Sequence, residues 1–166
     1  VGTLREALVS PIGAGTLAHP LEELFHQNPH LLDPSDFCCD EDDLALAEEA
    51  LGCALPPGLR ALLMFSDGGQ LRSPLKVVQL APVEQLVLWA EQGVIEQFGS
   101  VPFATDDTGG LLVVDTADEY GGGTGVVYRL ERRERGAGRA QVHSATRLAS
   151  SVGEFLQHLA EGRDAC

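Results

Sequence analysis

Residues 101–114 read Val-Pro-Phe-Ala-Thr-Asp-Asp-Thr-Gly-Gly-Leu-Leu-Val-Val, and this stretch decides the fold class. Short apolar runs at Val101–Ala104 and Leu111–Asp115 flank Thr105–Gly110, which carries paired aspartates and paired glycines. Apolar runs bounded by turn-forming residues are typical of strands. Because the connection is too short for a crossover, the two strands are predicted to be antiparallel.

The neighbouring segments extend this hairpin into a meander. Leu75–Leu80 predicts a strand upstream, and Gly125–Leu130 and Gln141–Ala145 predict two more downstream. Apolar residues recur at helical spacing in 44–51, 59–65, 83–98 and 152–161. Because strands and helices are grouped and do not alternate, we predict an α+β fold, with a twisted, mainly antiparallel sheet of about five to six strands packed with helices.

Local signals mark where the first two helices begin and end. Asp40–Asp43 supplies a cap and negative charge for a first turn, and Gly52 stands where that helix stops. Pro56 and Pro57 then open a second helix, which ends in a turn at 67–69. Residues 1–37 are divided by four prolines, so we expect an N-terminal extension with one or two short helices, followed by a domain at 38–166.

Charge is the strongest compositional signal. The chain has 25 acidic and 11 basic side chains, a net charge of -14. Residues 1–128 carry 20 of the acids and four basic residues, whereas 129–166 carry five acids and seven arginines. Such a field repels nucleic acid and anionic lipid and attracts basic proteins, although charge of this kind also simply keeps a protein soluble.

The remaining composition argues against a membrane protein and a metal site. No apolar run approaches the roughly 18 residues that a bilayer crossing needs, and the first residues lack a secretory signal, so we expect a cytoplasmic protein. The four cysteines form no CxxC pair, and the histidines lack zinc-finger spacing. We therefore expect no metal and no cofactor.

Two motifs suggest ligands but have simpler explanations. Thr105–Gly110 lacks the ligand spacing of a calcium loop, and a hairpin turn accounts for it. Gly121–Gly125 leads into a strand without the lysine of a phosphate loop. Asp106 and Asp107 are a candidate acid/base pair, but adjacent turn residues tend to point apart. We expect no catalytic site, since no convergent set of roles is present.

Arginines cluster near one end of the chain. They lie between residues 129 and 139 and alternate with Glu131 and Glu134, which predicts a solvated, salt-bridged hairpin. Nucleic-acid binding through this cluster conflicts with the acidic field of the preceding residues. The arginines are Arg129, Arg132, Arg133, Arg135 and Arg139.

The order of motifs from residue 41 onward resembles the SUKH superfamily of toxin-immunity proteins and fungal cell-wall-assembly regulators. An acidic helix ends in Leu51-Gly52, Leu55-Pro56 follows, and the next helix runs into Ser66-Asp67-Gly68-Gly69. The segment 101–112 is similar to a later Pro-Phe-Ala, Asp, Gly-Gly series, and the chain also has the Val-Tyr strand and a terminal Ser-x-x-Glu-Phe-Leu helix. The family usually has Asn where this chain has Asp67.

The resemblance implies a protein-binding module that lacks catalysis and uses a variable surface for specificity. The leading hypothesis is an immunity-type protein that binds and neutralises a cognate basic toxin; a regulatory or scaffold protein in cell-wall or stress signalling is the alternative, and an uncharacterised enzyme the third. The candidate partner-binding residues are Asp40, Glu41, Asp42, Asp43, Asp67, Asp106, Asp107, Asp118, Glu119 and Tyr120.

Overall fold

A computed structural model describes residues 14–94, 99–135 and 140–162. The helices are α1 (Ala14–Gln27), α2 (Glu41–Leu51), α3 (Pro57–Phe65), α4 (Val83–Glu91) and α5 (Val152–Ala160). The strands are β1 (Leu32–Pro34), β2 (Gly69–Arg72), β3 (Val77–Leu80), β4 (Val101–Asp106), β5 (Leu111–Val114), β6 (Val127–Arg135) and β7 (Ala140–Ala149).

The seven strands form one sheet in chain order, and each pairs antiparallel with the next. The predicted α+β class is confirmed, with one strand more than the upper end of the predicted count. The unpredicted strands are β1 and β2, which have three and four residues. β2 begins at Gly69, within the segment expected to be only a turn, because the positive φ of Gly69 turns the chain directly into the sheet.

The helix boundaries follow the predicted local signals at α2 and α3. Asp40 and Asp43 form a reciprocal capping box at the start of α2, and Gly52 adopts the left-handed conformation at its end. Pro57 occupies the first turn of α3, where its missing N–H costs nothing. α4 is shorter than the predicted 83–98, since it ends at Glu91 before the left-handed Gly93; residues 95–98 lie outside the described residues.

The N-terminal segment contributes to the same sheet and core. α1 runs through Pro20 as a single 14-residue helix, so Pro20 does not break this segment. Its Leu21, Leu24 and Phe25 are buried in the main core. β1 carries Pro34, which the ladder tolerates because β1 is an edge strand.

Apolar side chains occupy both faces of the sheet. The main core lies between the sheet and the helices and includes Phe103 and Phe155, whose rings meet edge to face with centroids 6.2 Å apart. A smaller cluster on the other face contains Val113 and Tyr128. Successive residues of β5 and β6 alternate between the two clusters, as the two-residue period of a strand requires.

The central hairpin and the final hairpin differ in how well they were predicted. The turn between β4 and β5 is confirmed. The last hairpin, β6–β7, is longer than predicted, with paired residues from Val127↔Ala149 to Arg135↔Ala140. Arg129 is not solvated as expected: its side chain is 11% exposed and is ion-paired with Asp106 and Glu131. Arg139 and the side chains of Arg132, Arg133 and Arg135 lie outside the described residues.

Candidate partner-binding surface

The four acids at the start of α2 have different structural roles. The carboxylate of Asp40 accepts the Asp43 N–H at 2.9 Å, and that of Asp43 accepts the Asp40 N–H at 3.1 Å. Glu41 is ion-paired with Arg60 at 3.1 Å. Asp42 is exposed and makes no hydrogen bond or ion pair within the described residues. Of these four predicted residues, Asp42 therefore has its full charge available to a partner.

Asp67 joins three parts of the fold. Its Oδ1 accepts the Val83 N–H at 2.7 Å, which satisfies a free backbone group at the start of α4. Its own N–H donates to the Phe37 carbonyl at 3.0 Å. The thiol of Cys39 is hydrogen-bonded to the same carboxylate, and burial together with this contact raises the pKa of Cys39 to about 12. Asp67 thus lies beside the start of α2, and much of its bonding capacity is internal.

The loop between β5 and β6 is built around Asp115, which is fully buried and was not among the predicted site residues. Its two oxygens accept the N–H groups of Ala117, Glu119 and Tyr120 at 3.0 to 3.2 Å. Asp118 has a φ of 54° and accepts the Gly123 N–H at 2.8 Å. These bonds fix the loop as a defined surface element.

Tyr120 has a largely structural role in that loop. Its ring lies 4.7 Å from that of Tyr128, and it packs against the smaller core cluster. Burial raises the pKa of Tyr120, although a hydrogen bond with Ser100 opposes the rise. Tyr120 is therefore only partly exposed, and only that part of its ring could contact a partner as the predicted aromatic anchor. Glu119 beside it is exposed.

Asp106 lies in the turn between β4 and β5 and is occupied by internal bonds. One oxygen accepts the Gly110 N–H at 2.7 Å and both donors of Thr108; the other pairs with Arg129 Nε at 2.5 Å. The Asp106 side chain is 4% exposed. Burial opposes its ionisation, but the bonds from Arg129, Gly110 and Thr108 outweigh burial and lower the pKa of Asp106. Asp107 is exposed.

The register separates the predicted residues into two groups. At one end of the sheet lie the last residues of β3 and β5 and the first residues of β2, β4 and β6. We call this the α4 end, because α4 follows β3 there. The α4 end carries Asp67 and the β5–β6 loop, and the contact of Asp67 with Cys39 brings the start of α2 close to it. Asp106 and Asp107 lie at the opposite end. The ten predicted residues therefore do not share one surface.

Sequence reasoning missed the surface formed by α2 and α4, which pack against each other. Each helix repeats one pattern on the side opposite its buried residues: an acid, a leucine four residues later, and an acid three residues after that. Both leucines are conspicuously exposed, Leu46 at 65% and Leu88 at 43%. We call this the α2–α4 outer face; it comprises Asp42, Leu46, Glu49, Glu84, Leu88 and Glu91.

This outer face has no basic residue, since neither α2 nor α4 contains one. The four acids make no hydrogen bond or ion pair with any described residue. Exposed leucines with charged neighbours have the composition of an interface, in which an apolar centre has a polar rim. The helical spacing of the acids and leucines could have been found in the sequence for each helix separately. The sequence does not show that the two helices pack against each other.

An inner clamp holds α2 in place beneath this face. Glu48 accepts the Leu55 N–H at 2.6 Å and pairs with Arg60 at 3.1 Å. The bonds to Arg60, and then to Leu55, lower the pKa of Glu48 despite its partial burial. Because Arg60 also pairs with Glu41, one arginine fastens both ends of α2 to α3. These ion pairs hold the α2 half of the outer face against α3.

The part of the chain that the structure describes contains neither a metal-binding cluster nor a helix that could span a membrane. Among these residues, no group of three or more His, Cys, Asp or Glu side chains could hold a metal ion. None of the described helices combines the length and the apolar character that crossing a bilayer requires.

Comparison with known proteins identifies the family. The family model described as the SMI1 / KNR4 family (SUKH-1) matches residues 38–158, which is most of the chain. No curated protein matches it. The matched region starts two residues before the α2 cap and ends within α5, so it includes the whole α2–α4 outer face.

Proposed function

Because the chain belongs to the SMI1 / KNR4 family (SUKH-1), we propose that it is a non-catalytic binding module of the immunity type, which binds and neutralises a cognate basic toxin. The observation that carries the proposal is the α2–α4 outer face. On two packed helices without a basic residue, it presents two exposed leucines and four acids that pair with none of the residues the structure describes.

The chemistry of this face specifies the partner. Unpaired carboxylates attract a basic surface over a distance of about a Debye length and accelerate encounter. Burial of Leu46 and Leu88 then contributes binding energy that does not depend on salt, because apolar burial is not screened. The partner surface should therefore combine Lys or Arg side chains with an apolar centre.

The other predicted acids contribute unequally. Asp118 and Glu119 lie at the α4 end on a loop that Asp115 holds in shape, so they can widen the interface. Asp106 is internal, and we assign it to the fold. Asp107 lies at the other end of the sheet and is a useful control for general charge effects.

The test begins with a pull-down from native lysate at low and high salt, followed by mass spectrometry. We expect one basic protein that is released as salt rises and whose toxicity is suppressed when the two proteins are coexpressed. Several acidic or neutral signalling proteins that remain bound at high salt would instead favour the regulatory or scaffold function, and turnover lost in Asp106→Ala would require an enzyme.

A matched pair of double variants locates the surface. Glu49→Gln with Glu84→Gln removes two charges from the outer face; Glu22→Gln with Asp107→Asn removes two exposed charges elsewhere. At about 0.5 kcal/mol for each exposed charge, the first variant should bind the captured protein roughly fivefold more weakly at low salt. Equal losses in both variants would mean that net charge, and not this face, determines binding.

A further inference from the structure

The α2–α4 outer face has a regular internal spacing. In α2 its acid, leucine and acid occupy the second, sixth and ninth positions of the helix, and in α4 they occupy the same three positions. Because a helix rises about 1.5 Å per residue, the leucine lies about 6 Å along the axis from the first acid, and the last acid lies about 10.5 Å from it. The residues at equal positions are Asp42 and Glu84, Leu46 and Leu88, and Glu49 and Glu91.

Both helices begin at the same point of the fold. Asp67 accepts the N–H of Val83, the first residue of α4, at 2.7 Å. The same carboxylate is hydrogen-bonded to the thiol of Cys39, which directly precedes the cap of α2. Two helices that begin side by side and pack against each other run in the same general direction. Equal positions therefore lie at similar heights, and the outer face consists of three rows: an acid row, a leucine row and a second acid row.

The spacing of the rows determines which backbone a matching segment has. In a helix, residues i, i+4 and i+7 share one side and have the same axial spacing as the rows, because the rise per residue is the same. In an extended strand, residues on one face are about 6.6 Å apart, so the third lies about 13 Å from the first and misses the last row by about 3 Å. A helix laid along α2 and α4 thus matches all three rows.

The charge of the rows determines which side chains that helix carries. Each acid row has two carboxylates that bond to no residue the structure describes, so a lysine or arginine opposite it faces two negative charges. A second copy of the same face would instead bring acids against acids. The leucine row is exposed at 65% and 43%, so an apolar side chain opposite it removes both leucines from water.

We propose that the α2–α4 outer face binds an amphipathic helix of the partner, with Lys or Arg at positions i and i+7 and a large apolar residue between them. The apolar residue is at i+4 if the bound helix runs parallel to α2 and α4, and at i+3 if it runs antiparallel. It packs on Leu46 and Leu88, while the two basic side chains lie against the acid rows. This inference rests on the proposed function and specifies the partner segment for the same surface.

Two synthetic peptides of equal composition and about 21 residues test the spacing. The matched peptide repeats Lys-Ala-Gln-Ala-Leu-Gln-Ala, in which each leucine lies four residues after one lysine and three before the next. The isomer repeats Lys-Ala-Leu-Ala-Gln-Gln-Ala, in which the leucine lies about 200° around the helix from the lysine before it. Both are acetylated, amidated and labelled, and their binding to the full-length protein is measured by fluorescence anisotropy.

We expect the matched peptide to bind about tenfold more tightly than the isomer at low salt, because only its leucine faces the leucine row while its lysines face the acids. Higher salt should weaken both peptides but leave the ratio of their Kd values, since apolar burial is not screened. Circular dichroism of the peptides verifies equal helix content.

Variants of the protein assign the preference to the leucine row. Leu46→Ala with Leu88→Ala should reduce the ratio of the two Kd values to about one, and should change the Kd of the isomer by less than about twofold. Leu75→Ala is the matched control, because Leu75 is 58% exposed and lies outside α2 and α4, and it should leave the ratio unchanged. Circular dichroism verifies that each variant is folded.

Two results would overturn the proposal: equal Kd values for the two peptides, or no saturable binding of the matched peptide up to about 1 mM. The proposed function fails separately, if no basic toxin is captured or none is neutralised on coexpression. A captured toxin that binds the Leu46→Ala, Leu88→Ala variant as tightly as wild type would overturn the helix proposal and leave the proposed function in place.

Discussion

Replacing Arg129 with methionine tests whether the ion pair with Asp106 holds the central hairpin. The two side chains are 11% and 4% exposed, and the guanidinium also donates to Thr108 at 2.7 Å. Methionine retains much of the apolar stem but leaves the Asp106 carboxylate buried without its counter-ion. Loss of one partner of a buried pair costs about 3–5 kcal/mol. Because Asp106 keeps its bonds from Gly110 and Thr108, we expect about 3 kcal/mol.

The free energy of unfolding is measured by urea denaturation followed by circular dichroism. For a chain of this length, 3 kcal/mol corresponds to a Tm lower by about 6–12 °C. The double variant Asp106→Asn with Arg129→Met should recover at least about 1 kcal/mol relative to Arg129→Met, since a neutral amide oxygen still accepts from Gly110 without a buried charge. Arg147→Met changes an exposed arginine of β7 and should stay within about 0.5 kcal/mol of wild type.

The pH dependence provides a second test of the same pair. The pKa of Asp106 is lowered in the folded protein, so the stabilisation is present above its unfolded pKa and is lost as pH falls through its folded pKa. The difference between wild type and Arg129→Met should therefore shrink in acid. A difference below about 0.5 kcal/mol at pH 7, or one that grows in acid, would refute the assignment of Asp106 to the internal framework.

Two further predictions concern α2 and its surroundings. Glu48→Ala should lower the free energy of unfolding in urea by about 1–2 kcal/mol, because the Leu55 N–H loses its acceptor and Arg60 keeps only Glu41 as an ion-pair partner. Glu49→Ala next to it should cost less than about 0.5 kcal/mol, and equal effects would contradict the clamp. Burial and the contact with Asp67 raise the pKa of Cys39 to about 12, so little of its thiol is ionised near pH 8. Iodoacetamide at that pH should therefore label the exposed Cys38 and spare Cys39 in the native protein. Peptide mapping that finds both cysteines labelled equally would contradict the buried thiol.

The parts of the fold that the sequence predicted are those encoded by adjacent residues. The capping box of Asp40 and Asp43, the stop at Gly52 and the β4–β5 turn all depend on contacts within a few positions. β1 was missed because three residues provide too little alternation, and its strand character comes from pairing with β2, more than 30 residues away. The prediction that Arg129 is solvated was wrong for the same reason, since its partner Asp106 belongs to another hairpin.

The site was harder to predict than the fold, because exposure depends on which elements meet. The acids in the first turn of α2 were identified as candidates, but Leu46, Glu49, Glu84 and Leu88 were not, since the sequence does not show that α4 packs against α2.

Among the carboxylates behind the net charge of -14, two kinds have different consequences. One kind accepts backbone N–H groups at helix starts and loops, where its charge is part of the fold. These are Asp40, Asp43, Glu48, Asp67, Asp106, Asp115, Asp118 and Glu154. The other kind, on the α2–α4 outer face, accepts no bond from any described residue. The first kind has a role in the fold, so a partner that needs negative charge should respond most to neutralisation of the second.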